Sequence, residues 1–203
     1  MSSTFRALII LILLTSCSLS GNYTRAPKSL NNACSILDQR RSFLPAFKAA
    51  KRKYGIPISV QMAVIWQESK FKSKAKTPKT YFLWVVPTGR QSSAYGYAQV
   101  LDATWKEYKS TAGRWGARRS NIRDAADFMG WYMAQNNKKL GISMWDAGNQ
   151  YLAYHEGWGA YKNYKDNPKV IILAKKVKQQ SDKYKSQLQK CQKKLNRNKY
   201  IIF

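Results

Sequence analysis

Ile56-Pro57-Ile58-Ser59-Val60-Gln61-Met62-Ala63-Val64-Ile65-Trp66-Gln67-Glu68-Ser69-Lys70-Phe71 reads as one helix, and the reading of the whole chain turns on it. Pro57 suits a first helical turn, where its missing N–H leaves no bond unmade. Val60, Val64 and Glu68 recur at i, i+4 and i+8 and share a face, and Met62 and Ile65 widen the apolar surface around it. The run is too apolar for a helix with one side in water, so it belongs inside the protein. Its single carboxylate then sits at the C-terminal end of a buried helix. Desolvation and the negative end of the helix dipole both disfavour the ionised form there. A carboxyl held protonated near neutral pH is what a general acid needs. A glutamate that ends its helix in water is the plainer alternative.

The 203 residues suit one domain with appendages, and a 44 % apolar share with seven tryptophans is enough for a core. Lys and Arg number 36 against 10 Asp and Glu, for a formal net charge of +26. Such a chain meets polyanions: nucleic acid, anionic lipid or an anionic cell-wall polymer. Compartment chooses among them. Arg6 followed by Ala7-Leu8-Ile9-Ile10-Leu11-Ile12-Leu13-Leu14 is an export signal too short to span a bilayer. Leu14-Thr15-Ser16-Cys17 resembles a bacterial lipobox, which implies cleavage after residue 16 and lipidation of Cys17. An ordinary secretory peptide cut near Ser16 to Ser20 is the alternative. Ser18 rather than Asp after the cysteine implies, by resemblance to sorted lipoproteins, a periplasmic protein anchored to the outer membrane. Cys34 and Cys191 remain, and in an oxidising compartment two such thiols are expected to form a disulfide.

Residues 17–32, rich in Ser, Asn, Gly and Pro, read as a lipid-anchored tether. Residues 33–168 read as the catalytic domain, and 169–203 as a basic C-terminal helix and tail packed on it. Within the domain, Ser42, Asp102, Asn121 and Ser143 are expected to cap helices, with Asp146 at the third position after Ser143. Gly55, Gly141 and Gly157 are expected to close helices, and Asn167-Pro168 to open the last one. Tyr81-Phe82-Leu83-Trp84-Val85-Val86 is the one β-prone run, bounded by Pro78, Pro87 and Gly89. It reads as a strand or aromatic flap in an insertion, 72–94, that is a candidate cleft wall with a lysine-rich rim.

Four pieces then follow in order: Gln67-Glu68-Ser69-Lys70-Phe71; Ser93-Ala94-Tyr95-Gly96-Tyr97-Ala98-Gln99-Val100; Thr104-Trp105; and Tyr151-Leu152-Ala153-Tyr154-His155-Glu156-Gly157. The set resembles the catalytic domain of soluble lytic transglycosylases, in the lysozyme-like superfamily. The first piece looks like the family's catalytic Glu-Ser. In the second, Tyr97-Ala98-Gln99 stands where the family has Leu-Met-Gln. In the last, His155 and Glu156 replace Asn and Ala.

The resemblance implies a mainly α fold, a lysozyme-like helical domain of the goose-lysozyme type with a short β-prone flap. It implies Glu68 as catalytic acid and then base, cleaving between N-acetylmuramic acid and N-acetylglucosamine in peptidoglycan strands to leave a 1,6-anhydro end. Substrate-binding roles are expected for Ser69, Tyr95, Tyr97, Gln99, Tyr154, His155 and Glu156. Glu156 is expected either to raise the Glu68 pKa as a like charge or to pair with a cation. Tyr151, Tyr154, His155 and Trp158 share a helical face that is a core stripe or a sugar-stacking wall, with Tyr151 on the core side. No cofactor is called for, and one His with both sulfurs assigned does not make a metal site. Between Ser69 and Leu101 the chain has no Asp or Glu, which favours transglycosylation over a hydrolase with two carboxylates. The rivals are a goose-type muramidase and a non-catalytic wall-binding lipoprotein. The export signal argues against a nucleic-acid partner, and a monomer is expected.

Overall fold

A computed structural model describes residues 23–83, 86–164 and 167–197. The export signal, Cys17, Trp84 and Val85 lie outside the described residues. The fold is mainly helical with one small hairpin. Helices α1 (Ala33–Gln39) and α2 (Phe43–Tyr54) come first. They are separate helices because the chain leaves helical geometry at Arg40. Asn32 caps α1 by accepting from Ser35 N–H. Ser42 makes no side-chain cap to α2 and lies in helical backbone itself, contrary to the capping expectation. Gly55 closes α2 in the left-handed region at φ 79°, where a side chain is disfavoured.

The central helix α3 spans Ile58–Ser69. Pro57 precedes it in extended backbone as its N-cap, one step earlier than expected. Every residue from Ser59 to Ile65 is buried. The reason is position: α3 packs against α2, the later helices α5 (Ile122–Leu140) and α6 (Ala147–Glu156), and the last helix α8 (Pro168–Arg197). Apart from Ile58 at its start, only the last turn, from Trp66 to Glu68, gains exposure. Lys70 and Phe71 then both take left-handed backbone, at φ 51° and 61°. Non-glycine residues resist that conformation at about 1–2 kcal/mol each. Phe71, fully buried and 6.0 Å from the Phe43 ring, holds the turn in place.

Strands β1 (Lys79–Phe82) and β2 (Val86–Arg90) form an antiparallel hairpin, with Lys79 opposite Arg90 and Phe82 opposite Val86. The β-prone run is therefore not one strand: the chain reverses inside it. Pro87 is tolerated because a two-stranded sheet is all edge. Helix α4 (Asp102–Thr111) has Leu101, not Asp102, at its N-cap. Asn121 caps α5 as expected, accepting from Arg123 and Asp124 N–H. Asp146, not Ser143, caps α6 by accepting from Asn149 N–H. A short helix α7 (Tyr161–Tyr164) precedes α8.

Helix α8 runs 30 residues along α3 and α6, burying Val177 and Tyr184 in the main core. The disulfide joins Cys34 on α1 to Cys191 on α8, with Cα atoms 6.2 Å apart. Residues 23–32, read as tether, instead lie on the domain. Tyr23 packs edge-on to Phe43 with its ring under Arg40, and its carbonyl accepts from Ser73 N–H. Tyr184 Oη donates to the Leu30 carbonyl, and Gln187 Nε2 to that of Asn31. A second reservoir of packing is aromatic: Trp105, Tyr108, Phe128, Trp131, Tyr132 and Trp158 pack ring on ring between α4, α5 and the end of α6.

Candidate active site

A cleft of about 440 Å³ opens where α3 and α6 end together. Glu68 lies in it. Around Glu68 stand Gln99, Val100 and Leu101 of the loop before α4, Thr104 on α4, Phe128 and Tyr132 on α5, and Tyr154 to Gly157 at the end of α6. Thr77, Ser92 and Ala94 close one side from the base of the hairpin. The insertion thus reaches the cleft through its base, while Tyr81 and Leu83 stand exposed beyond it.

Glu68 keeps a partial opening to solvent through the cleft, but its carboxyl is desolvated. Burial pushes its pKa up to about 7, against the neighbouring Tyr151 phenol and the charges of His155 and Lys70, which pull it down. Desolvation therefore wins over the lysine-rich rim. Glu156 is not among the groups acting on Glu68. It lines the cleft and accepts from His155 Nδ1 at 2.7 Å, so its partner is its own neighbour in the chain rather than a Lys or Arg.

Tyr151 belongs to this site as well as to the core. It is 2 % exposed, and its phenol lies close enough to the Glu68 carboxyl to hold the pKa of the acid down, with the Gln67 side chain acting on the same phenol. Periodicity alone did not separate this role from packing. Its ring continues the core stripe, and only the three-dimensional approach of α6 to α3 brings the hydroxyl to the carboxylate.

Gln99 lines the cleft from left-handed backbone at φ 48°, and its Nε2 donates to the carbonyls of Ala75 and Gly96. Tyr154 lines it too, with its Oη donating to the Ala98 carbonyl. His155 completes the wall, its side chain 44 % exposed. Three expected binding residues are placed elsewhere. Ser69 is buried, its Oγ donates back to the Ile65 carbonyl one turn earlier, and it is absent from the cleft lining. Tyr97 is 1 % exposed and packs edge-on to Phe43 at 5.5 Å: the left-handed turn at Gly96 sends its ring into the core. Tyr95 sits outside the cleft lining, between Lys76 and Arg119. Trp158 stacks on Tyr132 at 4.9 Å and donates from Nε1 to Asn136 Oδ1 at 2.7 Å, so it braces the wall from behind.

Arg119 is a site residue that sequence reading passed over. Its Nη1 donates to the carbonyls of Ser93 and Val100 at 3.0 and 2.9 Å, and its Nη2 meets Asp102 Oδ1 at 2.6 Å. One guanidinium thus fixes both ends of the loop that carries Gln99, as its rigid fork of donors allows. Nothing in an arginine of a polar turn announces that. Among the described residues no group of three or more His, Cys, Asp or Glu is placed to hold a metal.

A family model described as Transglycosylase SLT domain matches residues 5–191. No curated protein matches the chain.

Proposed function

The chain belongs to the transglycosylase SLT domain family, and from that premise we propose that it is a peptidoglycan lytic transglycosylase with Glu68 as its single general acid and base. The observation that carries the reading is the Glu68 carboxyl, raised to about 7 by burial at the floor of a cleft open to a polymer. At neutral pH such a group is divided between its two forms and serves both steps. Protonated Glu68 gives its proton to the oxygen bridging N-acetylmuramic acid and N-acetylglucosamine, and the bond from that oxygen to the muramyl C1 breaks. The carboxylate then takes the proton of the muramyl 6-hydroxyl as its oxygen bonds to C1. The product is a 1,6-anhydro end, Glu68 regains its proton, and no water is consumed. Tyr154 and Gln99, each fixed by a backbone carbonyl, shape the wall against which the sugars lie.

Hydrolysis is the second reading, and one observation supports it: Glu156 lines the same cleft. A carboxylate opposite the acid is what activates a water in hydrolases of two carboxylates. Its engagement by His155 favours the first reading, because a base already hydrogen-bonded is less free to take a proton.

The proposal places the enzyme in the periplasm, attached to the outer membrane through lipid on Cys17. The lipobox-like Leu14-Thr15-Ser16-Cys17 and the export signal before it support that placement.

The test is mass analysis of soluble products from purified peptidoglycan treated with protein that starts after residue 17. Anhydromuropeptides, lost in Glu68→Gln, are expected. Products heavier by one water would establish the muramidase instead. No products from active wall preparations would overturn the enzymatic reading.

A further inference from the structure

Trp66 lies on α3 two residues before Glu68, and two ammonium groups stand over its ring. Lys70 Nζ is 4.0 Å from the ring centroid, and Lys176 Nζ, from α8, is 5.4 Å. Both lie within cation–π range. Lys70 is the left-handed C-cap of α3, so it leaves the helix at the same end as Glu68. The repulsion is felt: burial holds the Lys70 ammonium below the usual lysine range, Lys176 adds to it, Glu68 opposes, and Lys72 adds again.

Among the described residues, no carboxylate lies within ion-pair distance of Lys70, Lys72 or Lys176. Five acids are paired elsewhere: Asp102 to Arg119, Asp124 to Arg114, Asp127 to Lys53, Asp182 to Lys178 and Glu156 to His155. Three cations therefore gather at the end of α3 that carries Glu68, whose carboxyl acts on Lys70 without forming an ion pair with it. Such an arrangement costs free energy unless an anion arrives from outside.

The glycan backbone of peptidoglycan supplies none. Its negative charge is carried by the peptide stem on the lactyl group of muramic acid. The muramyl ring that presents C1 to Glu68 carries that stem with it. A tetrapeptide stem spans at most about 14 Å, so its carboxylates stay in the neighbourhood of the scissile bond. Trp66 offers a flat apolar surface beside the ammonium groups.

We propose, on the reading of peptidoglycan as substrate, that Lys70 and Lys176 over Trp66, with Lys72 beside Lys70, form a subsite for the carboxylates of the stem peptide on the muramyl residue at Glu68. The enzyme then selects strands whose stems are present and ionised. Amidation of stem carboxylates, a change that leaves the sugars untouched, weakens its hold.

The test is equilibrium binding by calorimetry to Glu68→Gln protein, which removes turnover. Two probes are compared: a glycan tetrasaccharide with tetrapeptide stems, and the same molecule with its stem carboxylates amidated. At low salt the ionised probe is expected to bind about threefold to tenfold more tightly, the sum of a few exposed charge contacts. Adding Lys72→Gln and Lys176→Gln is expected to cut that preference below twofold, and Lys72→Arg with Lys176→Arg to retain it. Equal binding of the two probes, or a preference that survives the glutamine substitutions, would overturn the subsite alone. Binding of neither probe at millimolar concentration would overturn the peptidoglycan reading and the subsite with it.

Discussion

The phenol of Tyr151, buried in the core, sits beside the carboxyl of Glu68, whose other neighbours line the cleft. That polar contact holds the Glu68 pKa down against burial. Tyr151→Phe is therefore expected to raise it and to carry the alkaline limb of the pH–rate profile upward, since the acid step needs the proton on. The same change is expected to lower kcat about tenfold, the effect of losing about 1.4 kcal/mol of interaction with the acid. A profile that keeps its alkaline limb while kcat falls would mean the phenol only packs.

Glu68→Gln is expected to reduce strand cleavage by at least about 10³-fold, within the range of lost acid–base catalysis. It is also expected to stabilise the fold at alkaline pH. The native carboxyl holds its proton up to about pH 7, whereas the unfolded one releases it near its ordinary value of 4.5. Between these values the unfolded state binds fewer protons, so stability falls as pH rises through that window. The penalty is complete above pH 7 and amounts to at most about 3 kcal/mol. Thermal unfolding of both proteins at pH 5 and pH 8 checks it: the variant's advantage is expected at pH 8 and nearly absent at pH 5.

Glu156→Gln separates the two reaction types. If the chemistry is transglycosylation, the variant is expected to retain anhydro products within about tenfold of the parent rate, since one general base is worth at least about 10². Product mass and initial rate on the same wall preparation are the readouts. A collapse of rate with water-containing products in the parent would assign Glu156 as base.

The loop bearing Gln99 depends on two residues it meets across the fold. A Cβ on Gly96 would stand 2.2 Å from the Arg119 carbonyl, and Gly96 is at φ 82°. Gly96→Ala is expected to cost at least about 2 kcal/mol, since both the conformation and the space are refused. Arg119→Lys keeps the charge but not the fork, and is expected to raise KM more than it lowers kcat. Urea unfolding and steady-state kinetics measure the two effects.

Reduction of Cys34–Cys191 is expected to lower stability by up to about 5 kcal/mol, the chain-entropy figure for so long a loop. The residues are 157 apart in sequence. Calorimetric unfolding with and without reductant tests this. An unchanged midpoint would mean the N-terminal packing of Tyr23 and Leu30 suffices alone.

Much of the fold was legible because its signals are local. The largely apolar run of α3 could only be interior, and Asn121, Gly55, Gly141 and Gly157 mark helix ends by backbone chemistry that needs no context. The caps at Ser143 and Asp146 were not separable, since both side chains suit the role and lie three residues apart. The hairpin was half legible: Tyr81 to Val86 has strand chemistry, but Pro87 and Gly89 read as breakers and in fact pair. The cleft was legible where a residue acts by identity, as Glu68 does. It was not where direction decides, since one left-handed turn sends Tyr97 to the core and Gln99 to the cleft. Tyr151 and Arg119 act through neighbours distant in sequence, and no spacing encodes such a meeting.

The clasp between α1 and α8 has a mechanical meaning. Both ends of the fold leave from one spot, joined by a covalent bond. A load applied at the N-terminal end of the fold is expected to pass through the disulfide to α8, the longest of the described helices, which lies along both α3 and α6. The two helices whose ends carry Glu68 and Glu156 would then be loaded through one shared neighbour, together and not one against the other.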